Sequence, residues 1–150
     1  MRVVVQRVRN AQVDVPETGY SASIGHGLLL LVAFIDEDTE EDLEYLAQKL
    51  LKLRIFDDEQ GVMNLDVQQV EGELLVVSQF TLLASTRKGN RPSYIAAAPE
   101  AVSRPMYERF VERMESLTGR KVATGEFGAD MQIELVNDGP VTIWIDSKNR

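Results

Sequence analysis

The sequence predicts an α+β fold, a single domain over residues 1–150 with a mostly antiparallel sheet and two main helices. Three observations carry that expectation. Apolar residues fall largely in runs and alternations of strand length, bounded by Gly, Pro, Asn or Asp. Two other stretches space their apolar residues at three and four, as the buried stripe of a helix does. These elements do not alternate strand, helix, strand along the chain, so they do not describe a doubly wound parallel sheet.

In chain order, Val3, Val4, Val5 and Val8 mark an opening strand, which Gln12 to Val15 continues or pairs with. Pro16-Glu17-Thr18-Gly19 is a turn. Leu28 to Ile35 is apolar on both faces, which suits a central strand. Thr39 caps a helix whose first turn is acidic, favourable at the positive end of the helix dipole, and Leu43, Leu46, Ala47, Leu50, Leu51 and Leu53 form its stripe. Asp57 to Gly61 is a turn, and Glu73 to Leu83 reads as the next strand. A second helix is expected from about Ser103 to Thr118, with Tyr107, Phe110, Val111, Met114 and Leu117 inward and Gly119 as its stop. Pro105 fits only a first turn, so that helix should not begin much earlier. Met131 to Val136 and Val141 to Asp146 read as two strands joined by an Asn137-Asp138-Gly139-Pro140 turn.

Composition narrows the function classes. The chain has no cysteine, which removes disulfides, thiolate chemistry and cysteine metal sites. No run approaches the ~20 apolar residues of a membrane span, and the start does not read as a signal peptide, so a cytoplasmic protein is expected. The net charge of −8 argues against tight nonspecific binding of nucleic acid. Bases nevertheless gather in Arg87-Lys88-Gly89-Asn90-Arg91 and again at Arg104, Arg109, Arg113, Arg120 and Lys121. A local basic stretch of this kind can hold phosphates.

Two segments stand out as a candidate site. Ser78-Gln79-Phe80-Thr81 puts hydroxyls and an amide at the end of an apolar run, and buried polar groups must find partners. Asn137 to Pro140 carries a Gly-Pro pair that an ordinary hairpin does not need. A hydroxyl nucleophile at Ser78 or Thr81 requires a base, yet the one histidine, His26, sits between glycines ahead of a buried strand. Glu126 and Asp130 flank an apolar turn, but solvation is the simpler reading of carboxylates. No histidine–carboxylate cluster has metal-ligand spacing, and no glycine-rich phosphate loop is present, so neither metal nor cofactor is expected. What remains is a site built largely from backbone.

At these residues the chain resembles the D-aminoacyl-tRNA deacylase family, nearly end to end. Ser78-Gln79-Phe80-Thr81-Leu82 and Asn137-Asp138-Gly139-Pro140-Val141-Thr142 are similar to that family's two signatures. Gln6-Arg7-Val8, Arg54-Ile55-Phe56, Lys88-Gly89-Asn90-Arg91-Pro92 and Thr124 to Met131 add to the likeness in the same order. The resemblance implies a barrel-like sheet and hydrolysis of the ester joining a D-amino acid to tRNA, releasing both. It implies a homodimer whose active site lies at the subunit interface, with Gly139-Pro140 of one subunit, in a cis bond, entering the site of the other and excluding L side chains. Glycyl-tRNA should be accepted by the same geometry. Ser78, Gln79, Phe80 and Thr81 would form the catalytic segment, with backbone N–H groups near Phe80 and Thr81 for the oxyanion. Met131, Asn137 and Arg7 would line or brace the site, and Arg87, Lys88 and Arg91 would meet acceptor-stem phosphates. Two rivals stay open: an RNA-binding module without turnover, and a small-molecule esterase using Thr81.

Overall fold

The computed structural model describes residues 1–150 and contains eight strands and two α-helices. They are β1 (Arg2–Val15), β2 (Tyr20–Ile24), β3 (Gly27–Ala33), α1 (Glu40–Lys52), β4 (Phe56–Asp57), β5 (Met63–Leu65), β6 (Glu73–Ser78), α2 (Glu100–Thr118), β7 (Ala123–Thr124) and β8 (Gln132–Asp146). The fold is α+β, as the sequence predicts. β1 is its axis: its first half pairs antiparallel with β3, its second half with β2, and its other edge with β8 throughout. β6 and β7 then extend the sheet beyond β3 in parallel. The sheet curls until the Tyr20 hydroxyl donates to the Thr124 carbonyl at 2.8 Å, joining β2 to β7. No helix is long and apolar enough to cross a membrane.

Alternation along β6 sorts the core. Leu74 and Val76 face the helices, as members of a cluster of 23 buried residues that also includes Val3, Val5, Leu46, Leu50, Phe110 and Met114. Leu75 and Val77 face the inside of the curl, with Val8, Ala11, Val13, Ile24 and Leu29. Phe110 is fully buried, and truncation to Ala would cost about 3–5 kcal/mol. Tyr107 fastens α2 to β6, its hydroxyl donating to the Val76 carbonyl at 2.8 Å, and burial pushes its pKa well up so that it stays a donor. Where β3 and β6 begin, Gly27 lies so close to Glu73 that a Cβ would stand 1.9 Å from the Glu73 oxygen. Only glycine fits there.

Three local expectations are corrected. The strand expected over Glu73–Leu83 ends at Ser78, and the chain turns at Gln79 into a 3-10 turn over Phe80–Leu83. The apolar pattern misleads because Leu83, which the turn tucks inward, keeps the parity a strand would show. The second helix begins at Glu100 instead of Ser103, so Pro105 lies inside it. Pro99 makes this possible: its carbonyl accepts from the N–H groups of Val102 and Ser103 and from the Ser103 hydroxyl, and the first turn is closed before the proline removes its bond.

The third correction matters most for function. Met131–Val136 and Val141–Asp146 do not form a hairpin. Both run along β1 as parts of one strand, with Gln6 opposite Thr142 and Val8 opposite Asn137. Asp138 to Val141 is therefore spare length on β8, and it bulges out of the sheet beside Arg7.

Candidate active site

β3 and β6 are parallel neighbours, so both end on the same side of the sheet. Their last residues, Val32, Ala33, Val77 and Ser78, form one wall of a pocket of about 240 Å³. Gln79 and Phe80 continue that wall, Phe127, Gly128, Ala129 and Met131 form the opposite one, and Ala98 and Ser103 close it from α2 and the segment before it. The lining is mainly apolar with a few polar groups, the usual make-up of a small-molecule site.

The Gln79 N–H donates to the Val32 carbonyl at 2.7 Å, pinning the corner where β6 ends. The Gln79 side-chain amide donates to the Thr81 hydroxyl. That contact gives Thr81 no base, because an amide cannot take its proton. Thr81 itself is outside the pocket lining. His26 precedes β3, at the opposite end of the strand from the pocket, and packs edge-on against Phe56. Side-chain nucleophilic catalysis therefore has a hydroxyl but no acceptor for its proton. The first N–H groups of the 3-10 turn, at Phe80 and Thr81, have no partner from a preceding turn, as at any helix start.

The Asp138–Val141 bulge is tied at its neck and free at its tip. Asn137 holds the neck: its side-chain oxygen accepts from Val141 N–H at 3.0 Å, and its nitrogen donates to the Thr142 hydroxyl at 2.8 Å. Arg7, only 6% exposed, supplies the base of the bulge. Its guanidinium donates to the Asp138 carbonyl at 2.9 Å and the Ile55 carbonyl at 2.6 Å, and it pairs with the carboxylates of Asp57 and Asp138 at 3.4 and 3.5 Å. Gly139 and Pro140 at the tip are exposed and joined by a cis bond, and Gly139 has φ +136°. A Cβ on Gly139 would meet Val141 Cγ2 at 2.8 Å and Val141 N at 3.0 Å.

The structure thus gathers Ser78, Gln79, Phe80 and Met131 into one pocket, and gathers Arg7, Asn137, Gly139 and Pro140 into one bulge. It does not join the two sets within a chain, since none of Arg7 or residues 137–141 lines the pocket. Glu126 accepts from Thr18 and Asp130 points outward, so the loop contributes its apolar residues to the pocket while its carboxylates stay out of it. Phe127 has its own signal in the sequence, an aromatic between glycines, and it is held between Tyr107 and the Arg104 guanidinium, whose carbon lies 4.7 Å from the ring centre. The basic residues also divide. Arg104, Arg109, Arg113 and Lys121 each pair with a glutamate. Arg87, Lys88 and Arg91 are exposed and pair with none.

Comparison with known proteins agrees along the whole chain. A family model described as D-Tyr-tRNA(Tyr) deacylase matches residues 4–146. A Flavobacterium johnsoniae protein named D-aminoacyl-tRNA deacylase is 57% identical over 150 residues, covering all of this chain and 99% of that relative. One of the same name from Bacteroides thetaiotaomicron is 54% identical with the same coverage. Among solved structures, one titled c-Myc DNA Unwinding Element Binding Protein superposes with a TM-score of 0.89 at 39% identity, over 97% of this chain and 98% of that one. A probable eukaryotic D-amino acid tRNA deacylase shares the fold at a TM-score of 0.84, with 20% identity over 96% and 97% of the two chains. The chain belongs to the D-Tyr-tRNA(Tyr) deacylase family, and it is an enzyme of that kind, a deacylase and so a hydrolase.

Proposed function

We propose that the whole chain, acting as one domain, hydrolyses the ester that joins a D-amino acid to the 3′-terminal adenosine of tRNA, in the cytoplasm where such esters are used. The products are the free D-amino acid and uncharged tRNA. In this reading Ser78, Gln79, Phe80 and Met131 shape the pocket that takes the adenosine and the ester. The N–H groups at Phe80 and Thr81 receive the developing oxyanion. With no base beside Ser78 or Thr81, water is the nucleophile, and the 2′-hydroxyl of the adenosine assists its attack.

Chirality is read by a second copy of the chain. The observation that carries the reading is the separation described above, a pocket without a Gly-Pro turn and an exposed Gly-Pro turn without a pocket. Two copies exchanging bulges would complete two sites. The carbonyls of Gly139 and Pro140 would then face the α-carbon of the bound aminoacyl group, leaving space for hydrogen but not for an L side chain. Glycine, with hydrogen in both positions, would be hydrolysed as well. Arg87, Lys88 and Arg91, uncommitted to any carboxylate, would contact acceptor-stem phosphates.

Purified protein should cleave D-Tyr-tRNA rapidly and leave L-Tyr-tRNA intact. Cleavage of both would keep the ester chemistry and remove the chiral role of the bulge. Binding of tRNA without cleavage would favour an RNA-binding module, and cleavage of simple esters alone would favour an esterase.

A further inference from the structure

The pocket is continuous with a second surface that the reaction leaves unused. Phe80 lines the pocket yet is 56% exposed, and its ring meets that of Tyr94 edge-on, centre to centre at 5.1 Å. Tyr94 is 39% exposed, and Ile95, the next residue, is 92% exposed. Directly before Tyr94, Ser93 exchanges two backbone hydrogen bonds with Ser85, at 2.8 and 2.9 Å. This bridge is the neck of the loop that carries Arg87, Lys88 and Arg91. Outward from the pocket, the order is therefore apolar cavity, aromatic pair, closed neck, unpaired cations.

That order matches what a single strand of nucleic acid needs. Unpaired bases stack on aromatic faces, whatever their identity, while cations alongside track the phosphates. A duplex offers no free base face, so an exposed aromatic pair has little to gain from one. Three cations without acidic partners, on a chain of net charge −8, mark where a polyanion is attracted. Phe80, Tyr94 and Ile95 form a contiguous exposed apolar patch rimmed by polar residues, the kind of surface that marks an interaction site.

We propose that the Phe80–Tyr94 pair, with Ile95, is a stacking step for the unpaired nucleotides that precede the terminal adenosine, placed between the pocket and the phosphate-holding loop. This rests on the deacylase reading above and adds a site for the single-stranded end of the substrate. The enzyme then recognises its RNA in three successive parts: terminal nucleoside, stacked single strand, duplex phosphates.

The test compares kcat/KM on D-Tyr-tRNA with that on the D-tyrosyl ester of adenosine alone, for the wild type, Tyr94→Ala and Tyr94→Phe, with light scattering on each. Tyr94→Ala should reduce the preference for tRNA over the nucleoside ester by roughly tenfold or more, through KM, the loss expected for one stacked base. Tyr94→Phe should keep the wild-type preference, because the ring and not the hydroxyl stacks. Equal losses on both substrates, or an unchanged ratio in Tyr94→Ala, overturn the proposal while leaving the deacylase reading intact. A Tyr94→Ala protein that dissociates, with its activity restored at higher protein concentration, also overturns it and assigns the patch to a second copy of the chain. A wild type that cleaves neither ester overturns both readings.

Discussion

The pocket and the Asp138–Val141 bulge are constructed in opposite ways. The pocket draws on residues from Val32 to Ile133, and it exists only because two parallel strands end together and a distant loop covers them. The bulge is a run of consecutive residues held by its own neighbours, Asn137 and Thr142, and by one buried arginine. The pocket is recessed and has few polar groups; the bulge is exposed and presents backbone. In the function proposed above, the difference would let selectivity and chemistry be carried by separate parts of the molecule. A cavity assembled from the core tolerates little change in its walls, whereas a bulge outside the sheet register can carry a rigid steric gauge at no cost to packing.

The sharpest way to break that comparison is to disable each region in a different chain. Ala129→Trp, on a turn at the pocket wall, fills the cavity, and Gly139→Ala forces the bulge to shift because its Cβ would meet Val141. Each variant alone should lose at least ~100-fold in D-aminoacyl-tRNA hydrolysis or in preference for the D ester. Mixed and re-associated, they should regain a substantial share of wild-type activity, since a mixed pair holds one intact pocket facing one intact bulge. If mixing restores nothing while both variants fold and associate, the two regions do not form a shared site.

Arg7→Ala sharpens the same comparison from the scaffold side. It leaves the Asp138 and Ile55 carbonyls without their buried donor, at a cost of about 1–3 kcal/mol. Thermal unfolding should shift down accordingly. The D-over-L preference should fall by roughly tenfold, because the base of the bulge is loosened, while the affinity for adenosine at the pocket is retained. Loss of adenosine binding in proportion would show that Arg7 serves the pocket directly.

How much of this was legible in the sequence follows the same division. The bodies of the two helices, the central β3 and the body of β6 are readable because period and burial agree, as Leu43 to Leu51 and Leu74 to Val77 show. Ser78 to Thr81 stands out as polar residues at the end of an apolar run. The bulge is misread as a hairpin because Asn-Asp-Gly-Pro looks like a turn locally. Only the register against β1, a long-range pairing, reveals that both flanks share one neighbour. Phe127 escapes for a similar reason: its place opposite Ser78 depends on how the sheet curls, which no local pattern encodes. Pro105 misplaces the start of α2, since a preceding Pro99 carbonyl closes the first turn without it.

Thr81→Ala tests the chemistry of the pocket with a smaller expected effect. Its hydroxyl accepts from Gln79 and meets no base, so activity should fall by no more than about tenfold, through a less rigid Gln79. A loss of ~10⁴-fold or more, with burst kinetics, would make Thr81 a nucleophile and return the site to a covalent mechanism.

The smallest effect is expected at the start of α1, away from both regions. Burial there works against ionised Asp42, but Lys148 at 2.6 Å, the Thr39 N–H and hydroxyl and Ser147 outweigh it and hold its carboxyl well below the usual carboxylate range. The unfolded chain takes up that proton near the ordinary value of 3.8, so the stability from ionised Asp42 is complete above that pH and is lost as pH falls toward the lower folded value. Glu44, held at about 2 by Arg113 and Gln48, adds to the same acid-side loss. Asp42→Asn should lower the thermal midpoint at pH 7 by about 2–4 °C, the shift that removing a helix cap of ~1 kcal/mol makes in a chain this long, and should flatten the decline in stability below pH 4. An unaltered acid-side slope in the variant would show that other carboxylates set it. Hydrolysis of D-Tyr-tRNA at pH 7 should be unaffected, because Asp42 and its partners lie outside both the pocket and the bulge.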